Sequence, residues 1–272
     1  MSDAAQIPPP TPFSEDGWRR LADALQAACG LAVPAASAVQ VAARLTPRLR
    51  RLGLDAFDDY LPLLRAETEL QAALDLLTEP QAGFFREPVQ FELLESAFSH
   101  LRPARPRLWS AAAASGDEAY SLAMLLADLQ SAGRIGADWR VLGTDASERR
   151  VRTAAEGLYP VARMRQVGAA RLRSHVVGNG TSGLVQVQAA LRERVHFERH
   201  DLRVPLHGRQ CFDAIWLRQV LAYFDAATRR GVLAQVLARL HPGGLFFVGA
   251  AEQHLVTATG LQALGGGVFR KT

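Results

Sequence analysis

The chain has 272 residues, 49% hydrophobic and 21% charged, the composition of a globular protein large enough for one large domain or two modest ones. A net charge of +4, nearly all of it from arginine, leaves room for an acidic partner but is too small to imply a nucleic-acid binder. Cys29 and Cys211 lie far apart without metal-ligand spacing, and neither a leader pattern nor a membrane-length apolar run is present. The expectation is a cytoplasmic protein with two buried thiols.

Residues 1–12, with Ile7-Pro-Pro-Pro-Thr-Pro12, read as a flexible start. Residues 13–80 read as a helical domain. Trp18, Leu21, Leu25 and Cys29 recur at helical spacing, as do Leu45, Leu49 and Leu52, then Leu61, Leu64, Leu70 and Leu74. Gly30 and Gly53 read as helix stops. Arg44, Arg48 and Arg51 stand at i, i+4, i+7, either a solvated face or a dock for an acidic helix. Thr46-Pro47 resembles an N-cap and first helical residue, which would restart the helix there.

Residues 81–106 form a linker with a connecting helix over 89–101. Strands and helices then alternate through residues 107–272: strands at 108–113, 139–144, 195–197, 212–216 and 245–248, helices at 118–129, 148–156 and 226–240. Pro242-Gly-Gly244 reads as the stop of the last helix. That alternation implies a mainly parallel sheet covered on both faces. Residues 175–187 read as a hairpin with a Gly/Asn turn, an excursion from the sheet within about 160–192.

Ligands of open parallel sheets sit beyond the carboxyl ends of the strands. Glu118, Asp145 and Asp201 fall there. Each of the first two also precedes a helix and would serve as a cap. The small-residue turn Trp109-Ser-Ala-Ala-Ala-Ala-Ser-Gly116 allows close approach to the backbone, but the Asp117-Glu118 pair after it would repel a bare phosphate. A polar or cationic ligand fits better. Arg86, either a surface residue or part of the site, follows the helical domain where it must meet the sheet. Arg218 and Tyr223 follow the 212–216 strand and should face the crevice, although Tyr223 could equally be a packed residue with its hydroxyl on water. No HExxH, Cys/His metal spacing or G-x-S-x-G is present, so the parts for hydrolysis are missing.

Taken jointly, these motifs resemble the CheR-type chemotaxis receptor methyltransferases. The matching stretches are Phe84-Phe85-Arg86…Phe91, Trp109-Ser-Ala…Gly116-Asp-Glu-Ala-Tyr-Ser121, Thr144-Asp145, Gly157-Leu-Tyr159, Phe212-Asp-Ala-Ile-Trp-Leu-Arg-Gln-Val220…Tyr223-Phe-Asp225, the Pro-Gly-Gly-Leu stretch and Glu252. The resemblance implies an α/β protein: a small all-α N-terminal domain followed by a Rossmann-like class I methyltransferase domain with an inserted antiparallel β-subdomain. It implies S-adenosylmethionine as cofactor, lined by Arg86, Glu118, Asp145, Asp201, Leu202, Arg218 and Gln219. Arg86 and Tyr223 would stand nearest the transferred methyl, and Glu118 would meet the cofactor's amino group. The implied reaction methylates glutamate side chains on chemoreceptor helices, met by the Arg44/Arg48/Arg51 face, with a receptor tail at the β-subdomain.

Several positions depart from the family pattern. Pro80 and Ala82 stand where Asn and Thr are usual, Ala114 replaces Ser, Ala119 replaces Pro, and Gln219 replaces Asn. Loss of the two hydrogen bonds before Phe84 would weaken cofactor binding by roughly ten- to a hundred-fold. The alternative is therefore a relative that binds a cofactor or partner with little transfer.

Overall fold

The computed structural model describes residues 10–30, 38–77, 83–178 and 183–272. Pro80, Ala82 and the Asn179-Gly180 turn lie outside the described residues. The chain divides into two compact units, Met1–Glu79 with Tyr223–Asp225, and Pro80–Ala222 with Ala226–Thr272.

In the first unit, Ser14 caps α1 (Glu15–Cys29) by accepting the Gly17 N–H at 2.9 Å, and Gly30 ends it at φ 74°. Helices α2 (Ala38–Leu52) and α3 (Glu67–Leu77) follow, with a 3-10 turn at Leu61–Arg65 between them. The helical stripe buries Leu21, Leu25, Leu45 and Leu49 completely, whereas Leu52 is exposed. α2 runs through Pro47 instead of restarting there. Thr46 turns its hydroxyl back to the Ala42 carbonyl at 2.7 Å, the habit of a mid-helix threonine and not of a cap.

The helical unit also contains a half-buried polar knot. Arg48 donates from Nε and Nη2 to the two oxygens of Glu69, and the Tyr60 hydroxyl donates to Glu69 Oε1 at 2.6 Å. Thus Arg48 is committed inside the unit. Arg44 is exposed but donates to the Leu77 carbonyl.

The second unit opens with α4 (Pro88–Leu101). Its main sheet contains β1 (Arg107–Ser110), β2 (Arg140–Asp145), β6 (Val195–Arg199), β7 (Phe212–Trp216), β8 (Leu240–Phe247), β9 (Leu261–Gly265) and β10 (Val268–Lys271). The order is β6-β2-β1-β7-β8-β10-β9, parallel from β6 to β8 and antiparallel beyond. Helices α5 (Asp117–Ser131), α6 (Glu148–Glu156) and α9 (Ala226–Ala238) connect the strands. The chain leaves β1 toward β2 and later returns as β7 on the other side, so β1/β7 is the switch point.

Packing explains the sheet's small residue. Gly143 pairs with Phe197, and a Cβ there would stand 2.5 Å from the Phe197 ring. At the other side, Trp216 and Phe247 pair across β7 and β8 with rings stacked at 3.7 Å.

Two expectations change here. Pro242-Gly-Gly244 does not stop a helix; it lies inside β8, where pairing with β7 jumps from Phe212↔Leu240 to Ala214↔Leu245. The β9–β10 hairpin was not expected. The β-subdomain has β3 (Leu158–Pro160), β4 (Val176–Val177) and β5 (Leu184–Val187) in the order β3-β5-β4, antiparallel, with α7 (Ala169–His175) before β4 and α8 (Ala189–Arg192) after β5. Its Tyr159, Met164, Val185 and Val187 join the core of the main sheet. Cys211 is partly exposed, not buried. Among the described residues no helix is long and apolar enough to cross a membrane.

The Arg48 hydrogen bond outweighs burial and holds the Glu69 carboxyl below its ordinary value. A lowered folded-state value gives stability that is present above the unfolded range, near about 4.3, and lost as pH falls through the folded value. Replacing Glu69 by Gln should therefore cost about 1–3 kcal/mol at neutral pH. The difference from wild type in thermal melts should shrink toward pH 3.

Candidate functional site

At the switch point the segment after β1 fans between two strands. The Ala111 N–H donates to the Trp216 carbonyl of β7, and the Ala113 N–H to the Thr144 carbonyl of β2, both at 2.8 Å. Trp109 reinforces the second side with its indole N–H on Thr144 Oγ1 at 3.0 Å. The turn then closes on Gly116 at φ 86°, where a Cβ would meet Ala154 and Tyr159 at 2.9 Å. The β-subdomain braces it: the Tyr159 hydroxyl donates to the Ser115 carbonyl at 2.7 Å, and Arg163 donates to Ser115 Oγ and to the buried Asp117. Burial, with Asp117 nearby, pushes the Tyr159 phenol well above its ordinary value and keeps it a neutral donor.

Glu118, in the first turn of α5, is the centre of the cluster. Its Oε1 accepts the Ser110 hydroxyl and its Oε2 the Arg218 Nε, each at 2.6 Å. Arg218 also donates from Nη1 to the Arg86 carbonyl at 2.6 Å, with its guanidinium 5.9 Å from the Phe91 ring centroid. The two side chains are only 7% and 14% exposed, so the pair is shielded from water. Glu118 is therefore not a free carboxylate awaiting a cation: Arg218 already holds it, and any ammonium must take a remaining lone pair.

Arg86 is half-buried between Phe85 and Glu87, which have φ of 51° and 57°. Phe84 and Phe85 are core residues, and the Phe85 N–H donates to Ser121 Oγ at 2.9 Å. Left-handed backbone recurs at Ala114 (φ 48°) in the turn after β1 and at Gln219 (φ 57°) after β7. Among the described residues, four of the five non-glycine residues with positive φ thus lie on the loops of this site, where strain is expected to concentrate.

Asp145 ends β2 with both oxygens in use, accepting the Ala114 N–H at 3.0 Å and the Ser147 N–H at 2.9 Å. Asp201 follows β6 and is forked by Arg203. Burial would raise its carboxyl, but the hydrogen bonds from Arg203 leave it below the ordinary value. Leu202 beside it is buried. The Gln219 N–H donates to the buried Glu252. Arg86, Glu118, Asp145, Asp201, Leu202, Arg218 and Gln219 all belong to the second unit, whereas Tyr223 is grouped with the helical unit and packs on its core.

The donor set suits S-adenosylmethionine. Glu118 accepts one hydrogen bond at each oxygen, Asp145 is held at the end of β2 by two backbone N–H groups with Arg150 3.9 Å from its Oδ2, and Ala112 and Ala114 are half-buried small residues that leave the turn approachable. Among the described residues no group of three or more His, Cys, Asp or Glu is arranged to hold a metal ion. Sequence reading overlooked Ser110, Ser121 and Arg163, whose partners are side chains or backbone of the site. The Trp109–Ser121 motif contained the first two; no spacing pointed to Arg163.

Two family models cover the chain: the all-alpha domain of CheR methyltransferase at residues 16–78 and the SAM binding domain of CheR methyltransferase at 81–264. Chemotaxis protein methyltransferase of Klebsiella aerogenes is 33% identical over 92% of this chain and 88% of its own. That of Escherichia coli K12 is 34% identical over 88% and 85%, and chemotaxis protein methyltransferase 2 of Pseudomonas aeruginosa 33% over 91% and 92%. With both units matched in order and relatives about a third identical along most of the chain, the chain belongs to the CheR methyltransferase family.

Proposed function

We propose that this protein is a cytoplasmic protein-glutamate O-methyltransferase that esterifies glutamate side chains on chemoreceptor helices and releases S-adenosylhomocysteine. The observation that supports it most is the Arg218 cluster, which joins the Arg86 segment, Glu118 and the β7 loop at the switch point of a CheR-family chain. When bound, S-adenosylmethionine supplies a methyl already activated on a sulfonium, and a glutamate is already ionised at neutral pH, so no strong base is called for. The chain's own task is placement, bringing the attacking oxygen to roughly 3 Å and in line.

In this reading Glu118, fixed by Ser110 and Arg218, takes the cofactor's amino group, and Asp145 takes the ribose hydroxyls. Asp201, Leu202 and Gln219 complete the cofactor side. Arg86 and Tyr223 orient the acceptor carboxylate; a tight Arg86–carboxylate pair would blunt the nucleophile, so steering is the better role. The receptor meets α2, where Arg44 and Arg51 are exposed and Arg48 is already used by Glu69. A receptor tail is assigned to the β-subdomain.

The purified protein should bind S-adenosylhomocysteine in calorimetry and transfer labelled methyl groups to receptor membranes as base-labile ester. Firm binding without transfer to any receptor tested would leave only the cofactor-binding alternative. Asp145→Asn keeps one acceptor oxygen and loses a backbone grip. S-adenosylhomocysteine affinity should then fall roughly tenfold, and unchanged affinity would remove Asp145 from the site.

A further inference from the structure

We propose that Glu252 is a positioning residue of the cofactor site: its buried carboxylate gathers the backbone N–H groups of the loop after β7 and so fixes Arg218 on Glu118 and the Arg86 carbonyl. The inference rests on the function proposed above.

Glu252 comes from the segment after β8, the strand beside β7, and is 6% exposed. Oε2 accepts the Gln219 N–H at 2.5 Å and Oε1 the Ala222 N–H at 3.1 Å. The N–H groups of Leu221 and Gly249 also lower its carboxyl, against burial, which prevails and raises it. A Cβ on Gly249 would approach Glu252 Oε2 to 3.1 Å, so a small residue stands where the carboxylate must fit.

The loop needs such an anchor. Gln219 is held at φ 57°, and the 3-10 turn Leu221–Tyr223 follows at once, so its first N–H groups lack helical partners. Buried N–H groups left unpaired are costly. A carboxylate accepting several of them holds the loop as an anion holds a nest. Arg218 sits one residue before the first anchored N–H, and the Leu217 N–H on the other side is fixed to the Phe247 carbonyl at 2.8 Å. The direction of the Arg218 side chain is set by these two ties. An apolar residue at 252 could fill the space but not orient the amides.

The test uses the full chain with Glu252→Gln, Arg218→Ala, the double variant, and Lys271→Met as a stability control whose ammonium donates to the Leu237 and Leu240 carbonyls. S-adenosylhomocysteine affinity by calorimetry should fall roughly tenfold in Glu252→Gln. If Glu252 acts through Arg218, the double variant should bind about as weakly as Arg218→Ala alone. Lys271→Met should melt earlier at wild-type affinity. In the unliganded protein, hydrogen exchange over residues 217–222 should quicken in Glu252→Gln. Wild-type affinity in Glu252→Gln, or single effects that multiply in the double variant, overturns the proposal while leaving the proposed function standing. A wild-type protein that binds no S-adenosylhomocysteine overturns both. Should Glu252→Gln fail to fold, Glu252→Asp, which draws the carboxylate back by one methylene, takes its place, and wild-type affinity and exchange in it overturn the proposal.

Discussion

The shielded pair between Arg218 and Glu118 is the constraint around which the methyltransferase unit is arranged. It joins the first turn of α5 to the loop after β7, and its second donor reaches the carbonyl of Arg86, from a third part of the sequence. A buried ion pair adds little net stability, because desolvation consumes most of the attraction; its value is in fixing one arrangement. Removing either member would leave the other charge uncompensated. Ser110, the Phe91 ring and Glu252 act as secondary braces on that pair or its loop.

The β-subdomain extends the same logic to the other wall. Tyr159 touches the Phe84 ring edge-on at 5.0 Å and holds Ser115 through its hydroxyl, while Arg171 lies 4.4 Å over the Phe85 ring and pairs with Asp128 of α5. The inserted sheet thus supports both the Phe-Phe-Arg segment and the turn after β1. It is part of the scaffold of the site and not only an appendage.

Much of the fold was legible because burial imposes simple periods. The leucine stripes at 21/25 and 45/49 and the apolar strand 212–216 were read as they stand in the structure. Failures occurred where local chemistry had two meanings. Pro242-Gly-Gly looks like a helix stop and is a strand irregularity, and Thr46-Pro47 looks like a cap within a continuous helix. β9 escaped because its residues are mostly exposed and run into three glycines, which leaves little period-two signal. The strand-end carboxylates were found from topology alone. Their partners were not: Arg203 lies two residues from Asp201, but Arg218 lies a hundred residues from Glu118, and no local pattern reports that pairing.

Tyr223–Asp225 belong with the helical unit although the chain reaches them only after most of the sheet, and Gln26 donates to Asp225 at 2.7 Å. The helical unit therefore precedes the sheet in the chain yet is completed only after most of it. During translation α1 waits for a partner that emerges after β7, so its completion is tied to that of the sheet. A fragment ending at residue 79 would lack the three residues that close it, and one starting there would carry them without their partners. The boundary between the units in sequence is not the boundary between them in folding.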